Sequence, residues 1–205
     1  MKIKYTVTLL AILSIISFPR NAEAEKGKLS VGLDIGYGWH DFGAKETAQT
    51  IANASGQTVT YTYDKATFVG RLFADYGVSE DFLLDLGLFK SGNLDATYTI
   101  AGASATEAYS AFGVDAAVVY SPSKMPFFIK GGAHISKIFG DASITIGGTS
   151  YAASATATGV GWLAGAGFQG KTGASKNWRA GFTYYGNLGG ESGADVGFLF
   201  AGYKF

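Results

Sequence analysis

Residues 28–39 constrain this chain more than any other stretch. They read Lys-Leu-Ser-Val-Gly-Leu-Asp-Ile-Gly-Tyr-Gly-Trp. Leu29, Val31, Leu33, Ile35, Tyr37 and Trp39 take every second position, and Lys28, Ser30, Gly32, Asp34, Gly36 and Gly38 fill the gaps. A period of two sustained over twelve residues is a strand with one wholly apolar face and one small or polar face. The second face is the informative one. A sheet surface turned to water has little use for so many glycines. The inside of a narrow barrel does, because small residues there leave room for large ones from neighbouring strands.

The pattern recurs along the chain. A strand at about 67–77 places Phe68, Leu72, Ala74 and Tyr76 on one face and Val69, Arg71, Phe73 and Asp75 on the other. The next has Phe82, Leu84, Leu86 and Leu88 outward against Asp85, Gly87 and Phe89. At about 108–120, Phe112, Val114, Ala116, Val118 and Tyr120 oppose Ala111, Gly113 and Asp115. At about 127–137, Phe127, Ile129, Ala133 and Ile135 oppose Phe128, Lys130, Gly132, His134 and Ser136. A sixth strand, about 157–170, sets Val160, Trp162, Ala164, Ala166 and Phe168 against Gly161, Gly165, Gly167 and Gln169. A seventh sets Trp178, Ala180, Phe182 and Tyr184 against Arg179, Gly181 and Thr183. The last is Gly197–Phe205, with Leu199, Ala201, Tyr203 and Phe205 outward and Lys204 inward.

Links between these eight strands alternate long and short. The short ones lie near 78–81, 121–126 and 171–176; long polar stretches span about 40–65, 91–107 and 138–156, and a shorter one spans 186–194. Strands of roughly 9–11 residues, an even count and turns short at one end only are the pattern of a transmembrane barrel. Aromatics gather at strand ends in two sets, Tyr76, Phe82, Tyr120, Phe127, Phe168, Trp178, Tyr203 and Phe205 toward the short turns and Tyr37, Trp39 and Tyr184 toward the long links. Interfacial girdles have that arrangement. A soluble sandwich or lipocalin-like barrel would give Trp and Tyr no reason to collect there. The alternation within 58–63 and 95–100 predicts strands that rise beyond the membrane as a protruding sheet, and 143–151 predicts a hairpin turning on Gly147-Gly148.

The N-terminus is read separately. Lys2 and Lys4 precede a 14-residue apolar run from Tyr5 to Phe18, and Ala22-Glu23-Ala24 follows Pro19-Arg20. That order predicts a secretory signal peptide over residues 1–24 and a barrel domain over 25–205. The run is too short to span a bilayer. The leader takes three of the 16 basic residues and one of the 16 acidic ones, leaving a slight acidic excess and no case for nucleic acid. The chain has no cysteine, so neither disulfides nor a lipidated cysteine contribute. No later apolar run is long enough for a membrane helix, so entry into a bilayer requires a closed barrel.

With eight alternating strands, a leader and the ending Gly202-Tyr203-Lys204-Phe205, the chain resembles the OmpA/OmpX family of small bacterial outer-membrane barrels. The resemblance implies an all-β, eight-stranded antiparallel up-and-down barrel in a Gram-negative outer membrane, with both termini periplasmic. It implies contact with outer-membrane lipid and lipopolysaccharide, and a C-terminal signal, Tyr203 and Phe205, read by the barrel-assembly machinery. Larger relatives continue into a peptidoglycan-binding domain; this sequence stops at the barrel, so that tether is not implied.

Concentrated chemistry lies only among the inward ionisable residues: Asp34, Arg71, Asp75, Asp85, Asp115, Lys130, His134 and Arg179, joined by Lys204. Counting from the short turns places Asp75 opposite Asp85, with Arg71 as the neutraliser, and places Asp115 near Lys130. Eight strands leave an interior that side chains fill, so the expectation is a charged plug, with a narrow gated channel as the alternative. His134 and Ser136 resemble the catalytic pair of outer-membrane lipid A deacylases, but they share a face with Lys130, and no orienting Glu is evident. No catalytic residue, cofactor or metal is expected; His40 and Asp41 are too few ligands for a metal site. The expected role is structural or surface-interaction, of the adhesion type, through the loops.

Overall fold

The computed structural model describes residues 26–40, 44–170, 177–190 and 194–205. The leader, the cleavage site, Asp41 and the turn at 171–176 lie outside these residues.

Among the described residues, ten strands and one α-helix follow in order: β1 (Leu29–Trp39), α1 (Ala44–Ser55), β2 (Thr60–Tyr63), β3 (Ala66–Gly77), β4 (Phe82–Ser91), β5 (Leu94–Ile100), β6 (Ala103–Tyr120), β7 (Phe127–Ile146), β8 (Thr149–Gln169), β9 (Trp178–Gly186) and β10 (Val196–Lys204). Eight of them close a barrel in the circular order β1-β3-β4-β6-β7-β8-β9-β10. Every pairing is antiparallel, and closure is made by β1 with β10, Leu33 opposite Tyr203 and Tyr37 opposite Leu199. The Phe205 amide donates to the Val31 carbonyl at 2.9 Å, so the pairing extends to the last residue. No edge remains around the barrel to recruit another chain.

Alternation places the side chains as the sequence predicts. Val69, Phe73, Leu83, Phe89, Val119, Phe128, Leu163, Phe198 and Phe200 are buried in the lumen, whereas Leu72, Leu84, Leu86, Val114, Val118, Ile129, Ile135, Val160, Phe168 and Leu199 are exposed on the outside. Charges inside and aliphatics outside invert a soluble protein; a bilayer is the solvent that suits this distribution. The girdles are present as packed ring pairs. Trp178 with Tyr203, Tyr203 with Phe205 and Phe82 with Tyr120 meet at centroid distances of 5.0, 5.6 and 5.2 Å near the termini. Trp39 with Phe182 and Trp162 with Tyr184 meet at 5.4 and 5.3 Å toward the other end.

Strand lengths depart from the expectation. β6, β7 and β8 have 18, 20 and 21 residues, about twice the membrane height. The stretch 138–156 is therefore no separate loop hairpin. β7 and β8 run on without a break to a turn at Gly147-Gly148, both at positive φ. β5 pairs with the upper part of β6 and β2 with β5, so a five-stranded sheet, β2-β5-β6-β7-β8, stands above the barrel.

The helix α1 is the largest difference from the sequence reading, which treats 40–65 as a polar link. Ala44 and Ala48 are buried against Ala96 and Tyr98, with Ile51, Val59, Tyr61 and Tyr63 packed around them. The i, i+4, i+7 spacing of Ala44, Ala48 and Ile51 makes one narrow stripe. Alanine lets the helix lie close to the tyrosines of β2 and β5, giving the extension a small core of its own.

Candidate functional site

The lumen is crossed by one charge network. β1 contributes Asp34, β3 Arg71 and Asp75, β4 Asp85, β6 Asp115, β7 Lys130, β9 Arg179 and β10 Lys204, all buried. Four carboxylates thus face four cations among the described buried residues, and the plug is formally neutral. Neutrality decides whether it is tolerable, since an unpaired ion in a low-dielectric interior costs several kcal/mol.

Arg71 is the hub. Its Nε donates to Asp115 Oδ2 at 2.9 Å, its Nη2 donates to both Asp85 and Asp115, and its Nη1 reaches Asp34 Oδ2 at 3.5 Å. A guanidinium has five donors in a fixed plane and can serve three carboxylates at once. Gly87 permits this: a Cβ there would lie 2.4 Å from Arg71 Nε. Arg179 binds Asp34 through Nε at 2.7 Å and through Nη2, and its guanidinium carbon sits 3.3 Å from the centroid of the Phe73 ring. Lys204 Nζ lies 2.7 Å from Asp75 Oδ2 and donates to Gln169 Oε1 at 3.3 Å.

Two sequence-level pairings need correction. Asp75 and Asp85 do stand directly opposite each other, but Arg71 neutralises only Asp85. Asp75 points toward the termini and is held by Lys204 and, at 3.6 Å, by Arg179 Nη1. These are ion-pair contacts without directional hydrogen bonds, since neither Asp75 oxygen has one. Lys130 is not the neighbour of Asp115. β7 begins two residues before its first pairing with β6, Tyr120 opposite Ile129, so Asp115 faces His134 and Lys130 faces Val119. The Lys130 ammonium lies 5.7 Å from the Phe200 ring centroid.

His134 and Ser136 face inward and are buried. His134 Nε2 hydrogen-bonds the Gly186 carbonyl at 2.9 Å, and Ser136 Oγ accepts from the Gly189 amide at 2.8 Å. Both residues therefore hold the 186–190 segment. That segment is the feature sequence reading missed. A single 3-10 turn, Leu188–Gly190, folds over the mouth and buries Leu188 against Ile138, Ala194 and Val196. Gly159 makes room, because a Cβ there would lie 2.4 Å from Gly190 Cα. Tyr185 was also missed. It lies one step inward from Tyr184 by the same alternation, and its hydroxyl donates to Asp115 Oδ2 at 3.0 Å. Beneath the turn, the residual cavity bounded by Gly38, Ser91, Tyr109 and Leu188 is about 20 Å³, the space of one water.

At the mouth, Asp195 accepts from Tyr184 Oη at 2.6 Å and from the Asn187 amide at 3.0 Å. These bonds, the Tyr184 hydroxyl first, hold its carboxyl below the usual range. In the extension, burial followed by the nearby Glu107 pushes the Tyr98 phenol up to about 12. No group of three or more His, Asp or Glu side chains is placed to hold a metal ion among the described residues.

No protein-family model matches the chain, and no curated protein matches it. Among solved structures, it is similar to Ail, the attachment invasion locus protein of Yersinia pestis, solved in complex with the heparin analogue sucrose octasulfate. The two are 16% identical, with 88% of this chain and 99% of that chain covered and a TM-score of 0.47. It is similar to Neisserial surface protein A at 17% identity, 86% and 95% coverage and a TM-score of 0.38. It is also similar to the outer membrane protein OprG from Pseudomonas aeruginosa, at 10% identity, 89% and 99% coverage and a TM-score of 0.44. What the chain shares with them is the fold, which its own strand pairing fixes as a closed antiparallel barrel of eight strands.

Proposed function

We propose that this chain is a non-enzymatic outer-membrane barrel that works at the cell surface through its extension, with both termini in the periplasm. The observation that carries the reading is the division of the molecule. The lumen is filled by a formally neutral charge plug, paired through Arg71, Arg179 and Lys204, and covered by Leu188, while the ordered, exposed surface is concentrated in the sheet and helix above it. A rigid barrel that leads nowhere and a built platform at one end suit display rather than transport.

Extension chemistry narrows the partner. Glu46, Asp64, Asp95 and Asp141 are exposed there against Lys45 and Lys65, an acidic excess that disfavours a polyanion such as the sucrose octasulfate seen with Ail. Tyr203 and Phe205 at the closing strand serve as the assembly signal, and Phe205→Ala is expected to lower the folded yield in cells without altering refolding in detergent.

An epitope inserted between Gly147 and Gly148 tests orientation. Intact cells should bind its antibody; labelling only after permeabilisation would reverse the topology. Replacing residues 141–154 with an Asn-Gly turn tests the platform, and should abolish surface attachment while the barrel keeps its heat-modifiable gel migration. Planar-bilayer recordings should show no steady conductance. A conductance that disappears when Arg71 or Lys130 is altered would overturn the plug, and lipid A deacylation lost on His134→Ala would overturn the non-enzymatic reading.

A further inference from the structure

The outward face of the extension is the upward continuation of the face that meets lipid. On β6 that face passes from Val118, Val114 and Phe112 to Thr106 and Ser104; on β7 it passes from Ile129 and Ile135 to Ser143 and Thr145. The change begins at one cross-strand row, Lys90, Phe112, Lys137 and Thr158, with one exposed aromatic, Phe139, in the row above it. Cations that flank an aromatic on a lipid-facing surface mark the headgroup boundary.

Above that boundary the register aligns hydroxyls across all five strands. One row is Thr60, Thr99, Ser104, Thr145 and Ser150. The row beneath it is Thr62, Thr97, Thr106, Ser143 and Ala152. Nine of these ten positions carry a hydroxyl and none carries a charge. Neighbours stand roughly 4.8 Å apart across strands and about 6.7 Å apart along them, the scale of a sugar ring. Thr106 with Ser143 and Thr145 with Ser150 are already bonded at 2.7 and 2.8 Å, which orders the lattice and leaves each hydroxyl further capacity to donate or accept. Where the lower row meets the next one down, a trough of about 510 Å³ opens over Ala108 between Asp95 and Asp141, walled by Thr97, Thr106 and Ser143.

We propose that this face docks the neutral sugar residues of lipopolysaccharide rooted in the same leaflet. A dense field of hydroxyls matches a ligand that is itself dense in hydroxyls. The two carboxylates accept from vicinal diols and repel acidic sugars, and the alanine floor lets a ring approach the sheet. Continuity with the lipid-facing surface selects the source. A saccharide tethered at the membrane plane stands beside this face at high effective concentration, whereas a partner arriving from above meets the tip first.

The inference rests on the outward placement of the extension, but the test does not. In lipid nanodiscs carrying lipopolysaccharide in both leaflets, the face meets sugar whichever way the protein inserts. The chain has no cysteine, so Ala152→Cys on the hydroxyl face and Ala153→Cys on the opposite face, both exposed, give single thiols for maleimide labelling. In discs with O-chain-bearing lipopolysaccharide, Ala152→Cys should label about tenfold slower than in phospholipid discs, as for a face occupied nine-tenths of the time, with Ala153→Cys unchanged. Adding Thr62→Val, Thr97→Val and Thr106→Val, which keep strand propensity, together with Ser143→Ala, should restore the fast rate. Released O-chain polysaccharide in solution should protect far less than the membrane-rooted molecule. Equal slowing on both faces, no slowing, protection that survives the four substitutions, or equal protection by free polysaccharide would each overturn the proposal.

Discussion

Replacing Arg71 with methionine removes the hub of the lumen and leaves its wall intact. The side chain is buried, and it is the shared partner of Asp34, Asp85 and Asp115. Without it, four carboxylates face three cations, and Asp115 keeps only the Tyr185 hydroxyl among the bonds described above. Breaking a buried pair by deleting one partner costs about 3–5 kcal/mol, roughly 150- to 5,000-fold in the folding equilibrium. Urea unfolding in lipid vesicles, followed by tryptophan fluorescence, reads this directly. Trp39, Trp162 and Trp178 all lie on the outer surface and report entry into lipid. Two further variants separate charge from shape. Arg71→Met with Asp85→Asn restores neutrality and should recover more than half of the loss. Arg71→Lys keeps the charge but cannot fork between carboxylates, and should fall between wild type and Arg71→Met. A loss below about 1 kcal/mol for Arg71→Met, the range of exposed pairs, would refute the view that this network holds the barrel together. So would a double variant no better than the single one.

Other perturbations separate the remaining parts. Gly87→Ala should cost about 1–3 kcal/mol, because its Cβ would lie 2.4 Å from Arg71 Nε, whereas Gly131→Ala, with nothing within 4 Å, should be near neutral by the same unfolding assay. Ala48→Arg should undock α1 and raise amide exchange in 44–55, while heat-modifiable migration of the barrel stays unchanged. The Tyr98 phenol is neutral where α1 covers it, and its folded pKa of about 12 exceeds the usual 10. The stabilisation it brings is therefore full below about pH 10 and is lost as pH rises through about 12. Alkaline absorbance titration should show a late-ionising phenol that Tyr98→Phe removes. Asp195 has the opposite sign. Its depressed pKa adds stability above the ordinary carboxylate value that is lost as pH falls through the lower folded one. Acidification should loosen the hold of Asp195 on Tyr184 and on the Asn187 amide, and Tyr184→Phe should weaken that pH dependence.

The barrel was legible because its code is local and redundant. Leu29 to Trp39 fixes a strand and its two faces without reference to any other residue, and a slip of one would put Asp34 and Arg71 in lipid. Cross-strand neighbours were legible only where a tight turn sets the register, as for Asp75 and Asp85. Lys130 escaped because β7 overhangs β6 by two residues, which no local pattern encodes. Arg71 was rightly placed inside, but its choice of Asp115 over Asp75 depends on the reach of a long side chain past β4 to β6. The helix α1 escaped because alanine carries little hydrophobic signal, and its stripe gains meaning only beside Tyr61, Tyr63 and Tyr98. Leu188 escaped because a single apolar residue in a glycine-rich link looks like punctuation until the lumen it covers is known.

The unequal strand lengths have a geometric consequence. A plain eight-stranded cylinder is nearly the same from every side, and rotation about the membrane normal changes nothing for its neighbours. Here β6, β7 and β8 rise together on one side while β1, β3, β9 and β10 stop near the rim. The molecule therefore has a bearing within the plane of the bilayer. Whatever lies beside the tall wall meets a sheet, and whatever lies across the barrel meets the ends of shorter strands. Two such molecules that diffuse together meet wall to wall, wall to rim or rim to rim, and these three encounters differ in the surface they offer.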